Sequence, residues 1–263
     1  MARKIVITSG KGGVGKTTLA ACLCMQLARR GQKVVLCDAD FGLNNVDVAL
    51  GVEKRVVYDV VDIMQGRCRA KQALVRHHRI PNLHILTSSH SAPERYVSPQ
   101  ALKVVLDNLS PQFDFIIIDS PAGIDEGFHR AVVSANEAIV VVTPQISSLR
   151  DADKVVTLLK SYQLSSVKLL VNKVRGDLLV SGESIFPEEI AEILKTPLIG
   201  VVPDEYKVSA SVYEESENEV YKPHPAIKMV CNNLLLDKQK LYDCTKKYSG
   251  FIGGIRRLLK KNL

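Results

Sequence analysis

Gly10-Lys11-Gly12-Gly13-Val14-Gly15-Lys16-Thr17 stands between a short β-branched run, Lys4 to Thr8, and a helix-length amphipathic segment, Lys16 to Arg30. The octet satisfies the spacing G-x-x-x-x-G-K-[ST], and a strand before it with a helix after it is the context in which that spacing makes a phosphate-binding loop. Glycines let backbone N–H groups approach and cup phosphate oxygens, and the N-terminus of the following helix adds about half a positive charge. Gly10, Gly12, Gly13, Val14 and Gly15 are expected to form the cup, with Lys16 reaching the β and γ oxygens. The hydroxyl of Thr17, which Thr18 follows, is a candidate ligand for Mg2+.

Outward from this loop, continuously apolar runs of strand length alternate with helical periodicity, the pattern of βαβ units and a mostly parallel sheet covered on both faces. The expected strands are Lys4 to Thr8, Lys33 to Cys37, His84 to Thr87, Phe115 to Asp119, Ala138 to Thr143, Lys168 to Asn172 and Leu198 to Val202. The expected helices are Lys16 to Arg30, Val57 to Gln65, Pro99 to Leu109, Glu126 to Ala135, Ser148 to Tyr162, Glu188 to Leu194 and Pro225 to Leu236. The fold class is therefore α/β, a three-layer P-loop NTPase arrangement with a further amphipathic helix at the C-terminus. Three parts follow: 1–237 as the nucleotide-binding domain, 238–250 as a basic lead-in, and 251–263 as an amphipathic segment.

Two more strand ends carry carboxylates. Phe115-Ile116-Ile117-Ile118-Asp119 is an apolar strand ending in an acid placed to hold Mg2+ beside the loop, usually through water. Ser120-Pro121-Ala122-Gly123 follows at once, a turn expected to bring backbone N–H groups near a γ-phosphate. Val34 to Cys37 leads into Asp38-Ala39-Asp40, whose two acids lie on one side of an extended segment at the C-terminal edge of the sheet, where ligands of α/β folds bind. The guanine signature Asn-Lys-x-Asp is not met after Asn172-Lys173, because position 175 is Arg175.

The second lysine of the loop is not needed to cradle a phosphate from one side. The run Lys11-Gly-Gly-Val-Gly-Lys-Thr-Thr18 resembles the deviant Walker A motif of the ParA/MinD family of P-loop ATPases. Arg55-Val56-Val57-Tyr58-Asp59, Asp119-Ser120-Pro121-Ala122-Gly123-Ile124 and Ser147-Ser148-Leu149-Arg150-Asp151-Ala152-Asp153 resemble its MinD branch, over residues 1 to about 215 and again at the chain end. The resemblance implies an ATP hydrolase using ATP and Mg2+, in which Lys11 reaches across an ATP-dependent homodimer to the partner's nucleotide. It further implies that Asp40 orients the attacking water, that Asp38 sits near the metal, and that Asn172 and the backbone after Pro203 grip adenine. The helix opened by Ser147-Ser148 would bind a MinC-like inhibitor and a MinE-like activator, with Ser148, Asp151 and Asp153 as candidate contacts. Read from residues alone, Ser148 and these acids are an N-cap and favourable helix-dipole charges. Asn44 stands where the family commonly has Arg, and residues 216–250 match the family poorly.

Charge placement narrows the partners. The chain of 263 residues carries a net +7, but residues 238–263 hold eight basic side chains against Asp243, so residues 1–237 are neutral. A surface for coating DNA, expected of a ParA-like partitioning protein, is therefore disfavoured, and no specific nucleic acid is expected. In the last segment Phe251, Ile252, Ile255, Leu258 and Leu259 make an apolar stripe, with Arg256, Arg257, Lys260 and Lys261 on the other face. Thirteen residues rise about 20 Å as a helix, too short to span a bilayer but suited to lie on an anionic membrane surface. Gly253 and Gly254 each cost about 1 kcal/mol of helicity, so one copy binds weakly and two copies in a dimer bind by avidity.

The chain has no apolar run of ~18–20 residues and no leader-like start, which points to the cytoplasm with reversible peripheral attachment to the inner face of the membrane. Its six cysteines show no C-x-x-C pair, so reduced thiols are expected and no zinc site. The resemblance to the MinD branch implies a role in the spatial regulation of septum placement. A flagellar-number regulator of the FlhG type shares Asp-Ala-Asp-Phe-Gly-Leu and a membrane tail, and is the nearest alternative.

Overall fold

The computed structural model describes residues 1–41, 45–88, 97–213, 223–250 and 253–254. Eight strands form one sheet: β1 (Arg3–Thr8), β2 (Val34–Asp38), β3 (Val75–Arg76), β4 (Leu83–Leu86), β5 (Phe115–Asp119), β6 (Glu137–Val142), β7 (Ser166–Val174) and β8 (Leu198–Pro203). Their order is β3-β4-β2-β5-β1-β6-β7-β8. Every neighbouring pair is parallel except β3 and β4. The expected parallel α/β sheet is thus present, with β3 as an antiparallel edge strand that the sequence patterning did not reveal.

The alternation of side chains along each strand divides the core into two halves. Val6, Val35, Ile116, Ile118 and Val140 pack on one face with Leu102, Leu106, Phe128, Leu149 and Val155. Ile5, Ile7, Leu36, Ile117 and Val141 pack on the other with Leu19, Leu23, Ile227 and Val230. Those partners come from helices in chain order: α1 (Lys16–Arg29), α2 (Val46–Ala49), α3 (Val60–Met64), α4 (Ala70–Ala73), α5 (Pro99–Leu109), α6 (Glu126–Val133) and α7 (Ile146–Leu159). They continue with α8 (Gly176–Ser181), α9 (Pro187–Ile193), α10 (Tyr206–Tyr213) and α11 (Pro225–Leu236).

Helix α1 is buried nearly all round, with eleven of its fourteen residues out of solvent, because α11 and α10 cover its outer side. Its small residues, Ala20, Ala21, Cys22 and Cys24, suit that double coverage. Gly200 of β8 is needed for the same packing, since a Cβ there would lie 2.3 Å from Val230 Cγ2. The phosphate-loop helix is therefore held rigidly beneath the site.

Several local expectations are adjusted. The helix anticipated from Val57 begins at Val60, because Asp59 caps it, accepting from Val61 N and Asp62 N while Asp62 accepts from Asp59 N. The short α2, α4, α8 and α10 were not anticipated. After α11 the chain has no regular element up to Ser249, yet Leu241, Tyr242 and Cys244 pack against the core. Gly253 and Gly254 are helical, whereas Phe251, Ile252, Ile255, Arg256, Arg257, Leu258, Leu259, Lys260 and Lys261 lie outside the described residues, as does Asn44. Among the described residues no helix is long and apolar enough to cross a membrane. All six cysteines are free thiols, and the described residues hold no metal-ligating cluster of His, Cys, Asp and Glu.

Candidate nucleotide site

Strands β1, β5 and β2 end side by side, and the register that pairs Ile7 with Asp119 and Asp38 with Asp119 brings the phosphate loop and two carboxylates to one sheet edge. Gly13 and Gly15 take φ of 73° and 97°, left-handed conformations that glycine adopts without strain. At Gly12 and Gly13 a Cβ would meet nothing within 4 Å, so the loop faces open space. That space is a cleft of about 540 Å³ lined by the loop, Thr17, Asp40 and Asn172, with Pro203 and Glu205 also on its wall.

The polar groups are poised for a charged ligand. Lys16 is 9% exposed and donates through Nζ to Ser9 Oγ at 3.0 Å. Burial pulls its ammonium below the usual lysine range, against the opposing pull of Asp119 and Asp40. Thr17 Oγ1 donates to Asp119 Oδ2 at 2.6 Å, while the other carboxylate oxygen, Oδ1, is buried with no hydrogen-bond partner. Burial raises Asp119 to about 7. Burial, and then the neighbouring Asp119 charge, raises Asp38 to about 8. An orphaned carboxylate oxygen beside a hydroxyl is an oxygen donor set that suits a hard cation, and a glycine cup with a desolvated ammonium suits phosphate oxygens. The residues therefore fit a Mg2+ nucleotide.

Other expected residues are close by but already engaged. Asp38, expected near the metal, pairs in register with Asp119; its Oδ1 accepts from Asp40 N at 2.9 Å and its Oδ2 from Val46 N at 3.4 Å, so it ties down the chain that carries Asp40. Asn172 reaches the loop: its Nδ2 donates to Val14 O at 2.8 Å. The next residue, Lys173, holds an uncommon positive φ of 56° and donates to Gly13 O at 2.8 Å, a second support that sequence reading missed. The turn after β5 does not offer all its N–H groups to a ligand, because Ser120 N donates to Ile7 O and Gly123 N to Ser9 O.

Comparison with known proteins decides the family. A family model described as an AAA domain matches residues 2–171. The septum site-determining protein MinD of Synechocystis is 40% identical over 263 residues, covering 98% of this chain and 99% of that protein. The chain belongs to the MinD family. It is accordingly a P-loop ATPase of the septum site-determining group. In structure it is similar to MinD in the MinC:MinD cell division complex of Aquifex aeolicus, with a TM-score of 0.81 and 37% identity over 92% of this chain and 98% of that one. MinD of Pyrococcus horikoshii, solved with Mg-ADP, gives a TM-score of 0.77 and 30% identity over 89% and 96%.

The phosphate loop also meets helix α7. Lys11 Nζ donates to Ser147 Oγ at 2.9 Å in an exposed position. Gly10 presses on the same helix: a Cβ there would lie 2.3 Å from Asp151 O. Ser148 is neither the helix cap nor available to a partner. The helix starts at Ile146, and Ser148 is 2% exposed with Oγ accepting from Thr143 N at 3.1 Å. It closes the end of β6 instead. Asp153 is exposed and Asp151 half-buried, with Asp151 3.5 Å from Lys154. The partner surface proposed from sequence thus reduces to the acids.

Proposed function

We propose that this MinD-family chain is an ATP-dependent membrane switch in septum placement. ATP brings two subunits together, the paired C-terminal segments bind an anionic membrane surface, a MinC-like inhibitor is recruited, and activator-stimulated hydrolysis releases the assembly. The observation that carries this reading is the juxtaposition of Lys16, Thr17 and the orphaned Asp119 oxygen in the cleft, with Lys11 on α7 at its rim.

In the catalytic cycle the loop N–H groups from Gly10 to Lys16 bind the phosphates, and Lys16 neutralises charge that develops on the transferred group. Thr17 and Asp119 would hold Mg2+, and the ion would supply positive charge against the phosphates. Asp40, fixed by the Asp38 tie, orients the attacking water. Lys11 leaves Ser147 and reaches the nucleotide of the second subunit, and Pro203 with the backbone beyond it lies against the base. Asn172 supports the loop from below. Asp151 and Asp153 on α7 face the inhibitor and the activator. The MinC:MinD complex of the Aquifex relative supports the recruitment step. Catalysis by positioning and electrostatics, without a covalent intermediate, fits slow basal turnover that a partner accelerates.

Co-sedimentation with anionic liposomes tests the switch, using the full chain and a chain ending at Ser249, each with ATP or ADP. Full-length protein should pellet in ATP and much less in ADP, and the shortened chain in neither. Equal binding in the two nucleotides, or binding retained after truncation, would refute it.

A further inference from the structure

The basic lead-in after α11 runs back to Glu205, one of the residues on the wall of the nucleotide cleft where Pro203 also lies. Asn233 Nδ2 donates to Lys240 O at 3.0 Å and its Oδ1 accepts from Lys240 N at 3.3 Å, which turns the chain back as soon as α11 ends. Tyr242 then stacks edge-on to His224, with ring centroids 5.2 Å apart. Cys244 is 7% exposed and packs in the core, and its carbonyl lies so close to Gly176 that a Cβ there would stand 1.9 Å from it. Four residues beyond Cys244 the same strap clamps the start of the tail, because a Cβ at Gly253 would lie 2.3 Å from the Tyr248 carbonyl carbon.

Between these anchors Lys247 Nζ donates to both oxygens of Glu205, at 2.7 and 2.8 Å. Glu205 is one of the residues lining the cleft, next to Pro203 and Asp204. Its backbone is fixed, since Glu205 N donates to Pro203 O and Asp204 N to Val174 O. Its side chain is fixed by the strap, and His224 Nε2 stands 3.5 Å from Oε2. Burial would raise the Glu205 carboxyl, but the Lys247 hydrogen bonds and neighbouring positive charge carry it below its ordinary value.

We propose that Lys247 is a positioning residue for nucleotide binding: it holds and neutralises Glu205 at the base end of the cleft, making residues 238–250 part of the ATP site. Without Lys247, the Glu205 carboxylate is free to swing into the cleft and to repel an approaching polyphosphate. Because the tail takes off from this strap, occupancy of the base end and the setting of the tail are mechanically connected. The inference rests on the cleft being the ATP site, and it concerns binding and not the hydrolytic step.

The test uses the full chain with Mg2+ and ATP, comparing wild type with Lys247→Ala, Lys247→Arg and the reversed pair Glu205→Lys with Lys247→Glu. Binding is measured by calorimetry, and KM and kcat by phosphate release. Lys247→Ala should raise Kd and KM about three- to tenfold with kcat within about twofold, Lys247→Arg should stay near wild type, and the reversed pair should recover most of the loss. A thermal melt of each variant separates unfolding from this effect, the melting temperature of Lys247→Ala being expected within about 2 °C of wild type. Unchanged Kd and KM in Lys247→Ala would overturn the role of Lys247 while leaving the ATP site intact. So would a loss that the reversed pair does not recover, or one matched by a collapse in melting temperature. A wild-type chain that bound no ATP would overturn the cleft assignment itself.

Discussion

Gly10→Ala is the sharpest probe of how the phosphate loop is seated. The added Cβ would lie 2.3 Å from Asp151 O, 2.5 Å from Asp151 C and 2.7 Å from Asp151 Cβ. Two of those atoms are helix backbone, so no rotamer change relieves the clash. Restoring ordinary contact near 3.4 Å requires the loop and α7 to separate by about 1 Å. Overpacking of this kind costs about 1–3 kcal/mol, and a contact with backbone belongs at the upper end. For a domain of this size about 3 kcal/mol lowers the melting temperature by roughly 6–12 °C. A shift of about 1 Å in the groups that hold the phosphates should also lower kcat/KM for ATP by about 100-fold. Gly12→Ala is the control in the same loop: nothing lies within 4 Å of its Cβ, so stability should match wild type even where nucleotide binding weakens. Differential scanning calorimetry and a phosphate-release assay read both effects. A Gly10→Ala protein within 1 °C of wild type, or one no less stable than Gly12→Ala, would refute the close seating of loop on helix.

Asn172→Ala removes the donor to Val14 O; ATP affinity should fall about tenfold in calorimetry, with a stability loss of about 1 kcal/mol in a denaturant melt. Lys11→Ala leaves Lys16, Thr17 and Asp119 in place, so fluorescent-ATP titration should show near-normal binding while activator-stimulated hydrolysis on liposomes is lost; unchanged stimulation would sink the cross-subunit role. For pH, Asp38 and Asp119 sit at about 8 and about 7 in the fold against 3.8 ordinarily. The folded nucleotide-free protein thus binds more protons than the unfolded chain, the stabilisation is complete below about pH 4, and it is lost as pH rises through about 7 and 8. Melting temperature without nucleotide should fall by several degrees between about pH 5 and about pH 8, and Asp38→Asn should flatten that slope.

How much of this was legible depended on the length over which each signal acts. Strand β5 and helix α5 were placed to the residue, because an apolar strand ending in Asp119 and a helix opened by Ser98 and Pro99 carry their boundaries locally. The two residues of β3 and the four of α2 and α4 span about one period of their patterns, too little for a repeat to show in the sequence. The phosphate loop was legible to its last glycine, since both the spacing and the flanking elements are local. Ser148 was misread for the opposite reason: a serine near a helix start satisfies the capping rule, but the hydroxyl is used by Thr143 N across the strand-helix turn. Asn172 is expected at the base by resemblance, and the structure adds what no local signal carries: a contact spanning 158 residues in which its amide donates to Val14 O of the loop. Ser147, Lys173 and Glu205 were missed because each matters only through a partner more than 40 residues away.

The two ends of the cleft are built differently, and this bears on how one ligand can set two outputs. At the phosphate end the connection is steric: Gly10 leaves no space between the loop and α7, so displacement of one must displace the other. At the base end it is electrostatic: the strap meets the cleft through Lys247 and Glu205, a pair with side chains 45% and 20% exposed. A steric contact transmits motion regardless of salt, whereas a half-exposed ion pair weakens as ionic strength rises. The rigid seat between them, α1 buried under α10 and α11, gives neither end freedom to absorb the change locally. Nucleotide effects on α7 should therefore be insensitive to salt, while the contribution of the strap to ATP affinity should shrink as salt increases. ATP titrations of wild type and Lys247→Ala at about 0.05 M and about 0.5 M salt separate the two: the difference between the proteins should narrow at high salt. A difference that persists undiminished would mean that the strap acts through packing at Cys244 and Tyr248, and not through charge.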